Sequence, residues 1–354
     1  MGQPLVSIGL PIYNGEKYLA ETLDSLLDQT CRDFELIISD NASTDKTGAI
    51  CEAYAARDER IRYFRYDRNR GAAWNFNNVF KLSRGKYFKW AAHDDICAPE
   101  YVASCIEVLE RDPGVILCFS RTMEIDEQGR RVALRDYIQL PNLASPHAHE
   151  RFRDIIENRH GCESVFGVVR SDELRNTPLI GSYMVSDRVL LALLSIDGRF
   201  HELPDYLFYQ RDHGDRPLKG EDHEVTAWFD PRRGQRIVFP YWRLSWEYLC
   251  VALRRPRTIG QRLRCGWEVA KWSARHWKEY KWDLSSAVDR VILVRGDRPA
   301  YRSLNKWILS GRLKLPNPVA TAIALLVMVF VEGFHWLFHA NRVSRSTERR
   351  HSES

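Results

Sequence analysis

No two of the eight cysteines (Cys31, Cys51, Cys97, Cys105, Cys118, Cys162, Cys250, Cys265) stand in a C-x-x-C pair. A zinc site or a disulfide framework is therefore not expected; the thiols read as reduced core residues of an intracellular chain. Net charge is scarce, +5 over 354 residues, so no extended nucleic-acid surface is demanded and no nucleic-acid partner is expected. There is no internal repeat. The first apolar run begins within five residues without a basic stretch before it, so no secretory signal is expected. Long apolar runs are lacking too. Val319 to Val331 is thirteen residues without a charge, Glu332 interrupts, and Phe334, Trp336, Leu337 and Phe338 follow. A spanning helix wants about 20 predominantly apolar residues. This stretch is borderline for spanning and better suited to lying in a membrane interface, or to forming a buried helix.

What is present is an ordinary globular balance, 44% apolar and 28% charged. Up to about Phe119, short apolar runs alternate with amphipathic segments. Leu5 to Leu10 reads as a buried strand ended by Pro11, which cannot donate to a central ladder. Gly15 to Gln29 reads as a helix with Leu19, Leu23, Leu26 and Leu27 on one face. Phe34 to Ser39 is a second strand. A helix follows it, with Ser43 or Thr44 as N-cap. Ile61 to Tyr66, Lys86 to Ala91 and Val115 to Ser120 complete the strands, with a helix reaching Leu82. Such alternation implies an α/β fold, a mostly parallel sheet flanked by helices. In such sheets ligands bind beyond the carboxyl ends of the strands. Pro11-Ile-Tyr-Asn14, Asp40-Asn41 and Asp94-Asp95 each follow a strand directly, so three strand ends deliver polar and aromatic groups to one edge.

These motifs, in this order, resemble those of family-2 glycosyltransferases over residues 4 to about 215. Pro11-x-Tyr13-Asn14-x-Glu16 is similar to that family's first-strand motif, and Ser39-Asp-Asn-Ala-Ser-Thr-Asp45 to its second. Asn69-x-Gly71, Asn77 and Gly85-Lys-Tyr87 follow the third, and His93-Asp-Asp95 with Pro99-Glu100 falls on the metal motif. The resemblance implies the GT-A nucleotide-sugar-binding fold. It also implies a nucleotide site formed by Pro11, Tyr13, Asn14, Glu16, Asp40, Asn69, Gly71, Asn77 and Asp94. Tyr13 would lie against the base. Asp40, an acceptor only, would take a ring N–H of uracil or thymine. Taken singly, Asp40 is as well a helix-cap residue and Tyr13 a rim aromatic. A divalent cation, Mg²⁺ or Mn²⁺, would be held by Asp94 with Asp95 beside it. Two positions depart from the family pattern: Asn41 replaces its second aspartate, and Ala92 stands first in D-x-D-D. A hard cation often takes only one or two protein carboxylates, so Ala92 need not abolish binding. His93 reads as positional.

The family's general base is an aspartate near the start of a helix. Here Ser186-Asp187 precedes the apolar run Arg188 to Leu194, so Asp187 is either the catalytic base or a helix-start carboxylate favoured by the dipole. Tyr209-Gln-Arg211-Asp-His213 resembles a Y-R-x-H segment. Arg211 and His213 either hold the diphosphate or belong to a solvated loop. Residues 161 to 167 are the stretch considered for the acceptor wall.

The expected organisation is a GT-A domain over 1–225 and a basic, Trp-rich helical region over 226–315. A membrane-associating segment over 316–340 and a disordered tail over 341–354 would follow. The implied function is inverting transfer of a sugar from a nucleotide-sugar donor, UDP- or dTDP-linked, to a glycan or lipid-linked acceptor at the cytoplasmic face of a membrane. It would serve polysaccharide or cell-envelope building. The rivals are a nucleotidyltransferase and a catalytically inactive nucleotide- or glycan-binding protein.

Overall fold

The computed structural model of the chain describes residues 2–134, 140–157, 161–214, 222–233 and 239–295. The expectations for 316–340 and 341–354 lie outside the described residues. Two compact units emerge, one from Met1–Arg236 with Val251–Glu268, the other from Ile237–Cys250 and residues from Val269 onward.

The first unit begins β1 (Val6–Ile12), α1 (Leu19–Leu27), β2 (Phe34–Asp40), α2 (Thr47–Ala55), β3 (Ile61–Arg65), α3 (Ala72–Lys81) and β4 (Tyr87–Trp90). It continues β5 (Ile96–Cys97), α4 (Tyr101–Arg111), β6 (Val115–Ile125), β7 (Arg131–Leu134), α5 (Ala148–Glu157) and β8 (Val168–Arg170). Then come α6 (Ser171–Arg175), α7 (Ser186–Asp197), β9 (Arg199–Arg211) and α8 (Asp222–Phe229). Two further helices, α9 (Pro240–Arg254) and α10 (Ile259–Arg275), contribute to both units, and α11 (Trp277–Arg295) lies in the second.

The strands form one mixed sheet in the order β3-β2-β1-β4-β8-β6-β9-β5, with β7 on β6. The first four are parallel, and so are β6 and β9; β8 runs antiparallel to both β4 and β6. Every residue of β1, β2 and β4 is buried, as expected of parallel strands covered on both faces. The apolar stripe of α1 (Leu19, Leu23, Leu26) packs into this core with Ile8, Leu10, Ile38 and Val102.

Two local expectations are corrected. Strand β1 does not end at Pro11; it runs to Ile12, with Pro11 opposite Ser39. Asn41 N–H donates to Ile12 O on the β2 side, and Ala91 N–H to Gly9 O on the β4 side. Alternation therefore turns Pro11 toward β4, whose ladder has already stopped at Trp90, so its missing N–H breaks no bond. Nor is α2 capped by Ser43 or Thr44. It starts at Thr47, whose N–H donates to Asp45 Oδ1, while Ser43 Oγ accepts Asn14 N–H.

In the second unit, Trp242, Tyr248, Trp272 and Tyr280 form a buried aromatic core, with Trp242 and Tyr280 rings 4.8 Å apart. Asp283, fully buried, accepts the N–H groups of Tyr241 and Trp242 at 2.8 and 3.2 Å and so caps α9. None of the eight cysteines is in a disulfide, and six are buried. Among the described residues no helix is long and apolar enough to cross a membrane.

Candidate active site

The register Ile12↔Asp40 and Gly9↔Trp90 brings the ends of β1, β2 and β4 side by side. The loops leaving them are fastened to one another. Asn14, at φ 51°, accepts Thr44 N–H through its side chain and gives its own N–H to Ser43. Glu16 and the next loop bond reciprocally: Glu16 N–H donates to Asp45, and Lys46 N–H to Glu16, at 3.2 and 2.8 Å. Gly15 N–H donates to Thr47 Oγ1, and a Cβ at Gly15 would come within 2.5 Å of the His93 ring. Tyr13 is left outward, 41% exposed.

Asp40 is fully buried. Its Oδ1 accepts Ser43 N–H at 2.7 Å and its Oδ2 the Tyr63 hydroxyl at 2.9 Å. Burial, then the bond to Asp40, pushes the Tyr63 phenol up, so it stays a proton donor.

Asn41 has a structural reason to depart from aspartate. Its amide donates to Asn69 Oδ1 and Gly71 O and accepts Arg70 N–H, at 2.8, 3.3 and 3.0 Å. A carboxylate has no N–H to give. Gly71 sits at φ +89°, where a Cβ would lie 2.4 Å from Phe229 O, so only glycine fits. Asn41→Asp is expected to lower stability by about 1–3 kcal/mol, the cost of leaving the buried Gly71 carbonyl without its donor, and to loosen the Asn69–Gly71 loop. A thermal melt no lower than the parent's would contradict this reading. Asn77 spends its side chain on another loop, bonding both the N–H and the carbonyl of Ile180.

The β4 end carries the two aspartates. Asp95, 6% exposed, accepts Arg211 N–H, and Asp94 Oδ2 lies 2.9 Å from His213 Nε2. Arg211, 1% exposed, gives its guanidinium to protein: Nε to Asp94 O, one terminal nitrogen to the carbonyls of Asp126 and Glu127, the other to Glu21 at 2.6 Å. Tyr18 lies under both Arg211 (4.6 Å) and the His213 ring (5.1 Å). Arg211 thus locks the backbone of the aspartate loop, while the Asp94 carboxylate remains 15% exposed beside His213. Among the described residues no cluster of three or more His, Cys, Asp or Glu side chains could hold a metal by itself. A cation at Asp94 would need oxygens from a substrate, and that fits a divalent ion delivered with a diphosphate.

Asp187 is linked to β4 through the turn that precedes β8. β8 pairs Val168 with Lys89, so the 3-10 turn before it, Glu163–Phe166, lies beyond the end of β4. Cys162, which leads into that turn, lies beside Asp187. Asp187 stands in the first turn of α7 after Val185, held at φ 63°, a strained conformation for a β-branched residue. Burial pushes its carboxyl up; the Arg188 N–H at 2.8 Å, the Arg188 charge and Cys162 pull the other way without winning.

Lys89 escapes a motif reading. It is a fully buried ammonium inside β4, donating to Phe166 O at 2.5 Å and Trp90 O at 3.2 Å and lying over the Tyr101 and Phe208 rings. It ties the turn beside Asp187 to the strand that delivers Asp94. A charged residue inside the apolar run Tyr87–Trp90 is the signal that could have found it.

The chain resembles known proteins in this part. The family model for glycosyl transferase family 2 matches residues 7–173. An uncharacterized glycosyltransferase of Methanocaldococcus jannaschii, MJ1057, is 35% identical over 131 residues, 36% of this chain and 45% of that protein. The chondroitin synthase of Escherichia coli is 32% identical over 130 residues, 37% of this chain and 19% of that protein. The matched stretch therefore spans less than half the length of either relative. Among solved structures, S. aureus TarS 1-349 in complex with UDP-GlcNAc superposes with a TM-score of 0.57 at 15% identity, covering 93% of this chain and 92% of that one. That likeness extends to the GT-A fold. Residues 7–173 place in this chain a glycosyl transferase family 2 domain.

Proposed function

We propose that the chain is an inverting glycosyltransferase, moving a sugar from a UDP- or dTDP-linked donor to a hydroxyl of a lipid-linked or polysaccharide acceptor. What supports this is a family-2 match over residues 7–173, with Tyr13 following β1, Asp94 beside His213 after β4, and Asp187 in the first turn of α7 as the candidate base. Tyr13 offers its exposed ring to the base. A uracil or thymine N–H reaching Asp40 would replace the Tyr63 hydroxyl there. Complexes of TarS with UDP and with UDP-GlcNAc support a uridine donor.

Asp94 and His213 are the pair that would hold a divalent cation together with the diphosphate. One carboxylate and one imidazole suit Mn²⁺ better than Mg²⁺. When bound, the cation would supply Lewis-acid stabilisation of the leaving diphosphate. Asp95 and Arg211 keep the Asp94 loop in place. Asp187 takes the proton of the acceptor hydroxyl as that oxygen attacks the anomeric carbon from the side opposite the leaving group, which inverts the centre. Its raised pKa makes it a better base than a solvated aspartate.

The test is product analysis with a panel of UDP-, dTDP- and GDP-sugars. Release of nucleoside diphosphate, with an inverted anomeric signal in the glycoside, is expected. Pyrophosphate release would indicate a nucleotidyltransferase, and binding without any release an inactive binding protein.

A further inference from the structure

Helix α10 carries apolar residues on a face that no part of the first unit covers. Cys265 points inward and is buried, as is Glu268. Ile259, Leu263 and Trp267 are 74%, 70% and 65% exposed. Single exposed apolar side chains are ordinary. These three recur every fourth residue, so they form one stripe about 12 Å long on a helix that rises 1.5 Å per residue. Arg257, Arg262 and Arg264 lie exposed around the stripe, and no Asp or Glu occurs from Pro256 to Trp267. Arg262 gives its Nε to Pro256 O, which steadies the start of the helix and leaves the rest of the guanidinium outward.

We propose that this face docks on the surface of an anionic phospholipid bilayer. Ile259, Leu263 and Trp267 enter the boundary between headgroups and acyl chains, and the arginines meet lipid phosphates. Charge selects this occupant. A second copy meeting the same face across a two-fold axis would set three arginines against three. The apolar stretch from Pro316 to Phe338 is itself bracketed by Arg312, Lys314, Arg342 and Arg345, so basic residues would meet basic residues there too. The inference rests on the α10 surface and is independent of the sugar-transfer chemistry.

The experiment is co-sedimentation of the full-length chain with vesicles of phosphatidylcholine alone and of phosphatidylcholine mixed with phosphatidylglycerol. Salt-sensitive binding to the mixed vesicles is expected. Leu263→Asp should lower the bound-to-free ratio about tenfold or more, the scale set by losing one buried leucine side chain. Trp267→Gln should do the same by a second route, and Arg262→Gln with Arg264→Gln should remove the preference for phosphatidylglycerol. Because these side chains are exposed, the melting curve and lipid-free donor hydrolysis should stay as in the parent. The proposal is overturned if the parent ignores the mixed vesicles, or if Leu263→Asp binds them as well as the parent. It is likewise overturned if Leu263→Asp only changes the elution volume from dimer to monomer, which would make the stripe a protein interface.

Discussion

Asp187→Asn is expected to lower turnover by about 10²–10⁴-fold, the usual contribution of a positioned base, with donor affinity unchanged. The amide keeps the oxygen that accepts the Arg188 N–H, so the first turn of α7 is preserved. Only the capacity to take a proton goes. The raised pKa adds two signatures. The acid limb of kcat/KM should fall above the ordinary aspartate value of about 3.9. A folded-state pKa above the unfolded one means that the protonated form favours folding. That contribution is complete below about pH 3.9 and is lost as pH rises through the folded value. At neutral pH the ionised carboxylate therefore costs stability, and Asp187→Asn should melt higher than the parent while working far worse. Turnover near the parent's would move the base elsewhere. A lower melting temperature would show that the carboxylate is welcome where it sits.

Asp94→Ala should erase the gain in nucleoside diphosphate affinity that Mn²⁺ gives, and reduce turnover by about 10²–10³-fold, the scale of one lost transition-state contact in an acyl-transfer enzyme. Arg211 holds the carbonyl of Asp94, not its side chain, so that anchor survives, while His213 loses its carboxylate partner. The loop should stay where it is and lose one carboxylate. Calorimetry of UDP binding in Mn²⁺ and in EDTA reads the effect. If the same metal-dependent gain persists in the variant, Asp94 does not hold the cation. If the parent shows no gain, the cation leaves the mechanism.

The fold was legible because its information is local. Buried parallel strands read as apolar runs, and the residues after each strand must sit at one edge, so Tyr13, Asp40 and Asp94 group together from the sequence alone. Partnerships were not legible where they are made across long sequence separations. Arg211 bonds Glu21, 190 residues away, and Asp94, 117 away. Nothing in the segment Tyr209 to His213 distinguishes a guanidinium that faces phosphate from one that ties down a loop. Likewise Asn41 looks like a loss against the family pattern, until its amide is seen bonding the Asn69–Gly71 loop. The end of β1 was misplaced because proline's missing donor matters only on the side where a partner waits. The left-handed backbone at Val185 leaves no trace in composition, since valine is the last residue a turn rule would choose there.

The position of β9 bears on the order in which this protein can be made. It lies between β6 and β5 and ends in Arg211, yet it follows both strands by some seventy residues or more of chain. A nascent polypeptide that has emerged only as far as residue 173, the end of the family match, holds β6 with one flank empty and β5 with no neighbour. At about 5–20 residues per second of synthesis, that open edge stays exposed for seconds before β9 arrives. The unit of homology is thus shorter than the unit of folding. A fragment cut at the family boundary would carry the strand-end motifs on a sheet that lacks β9.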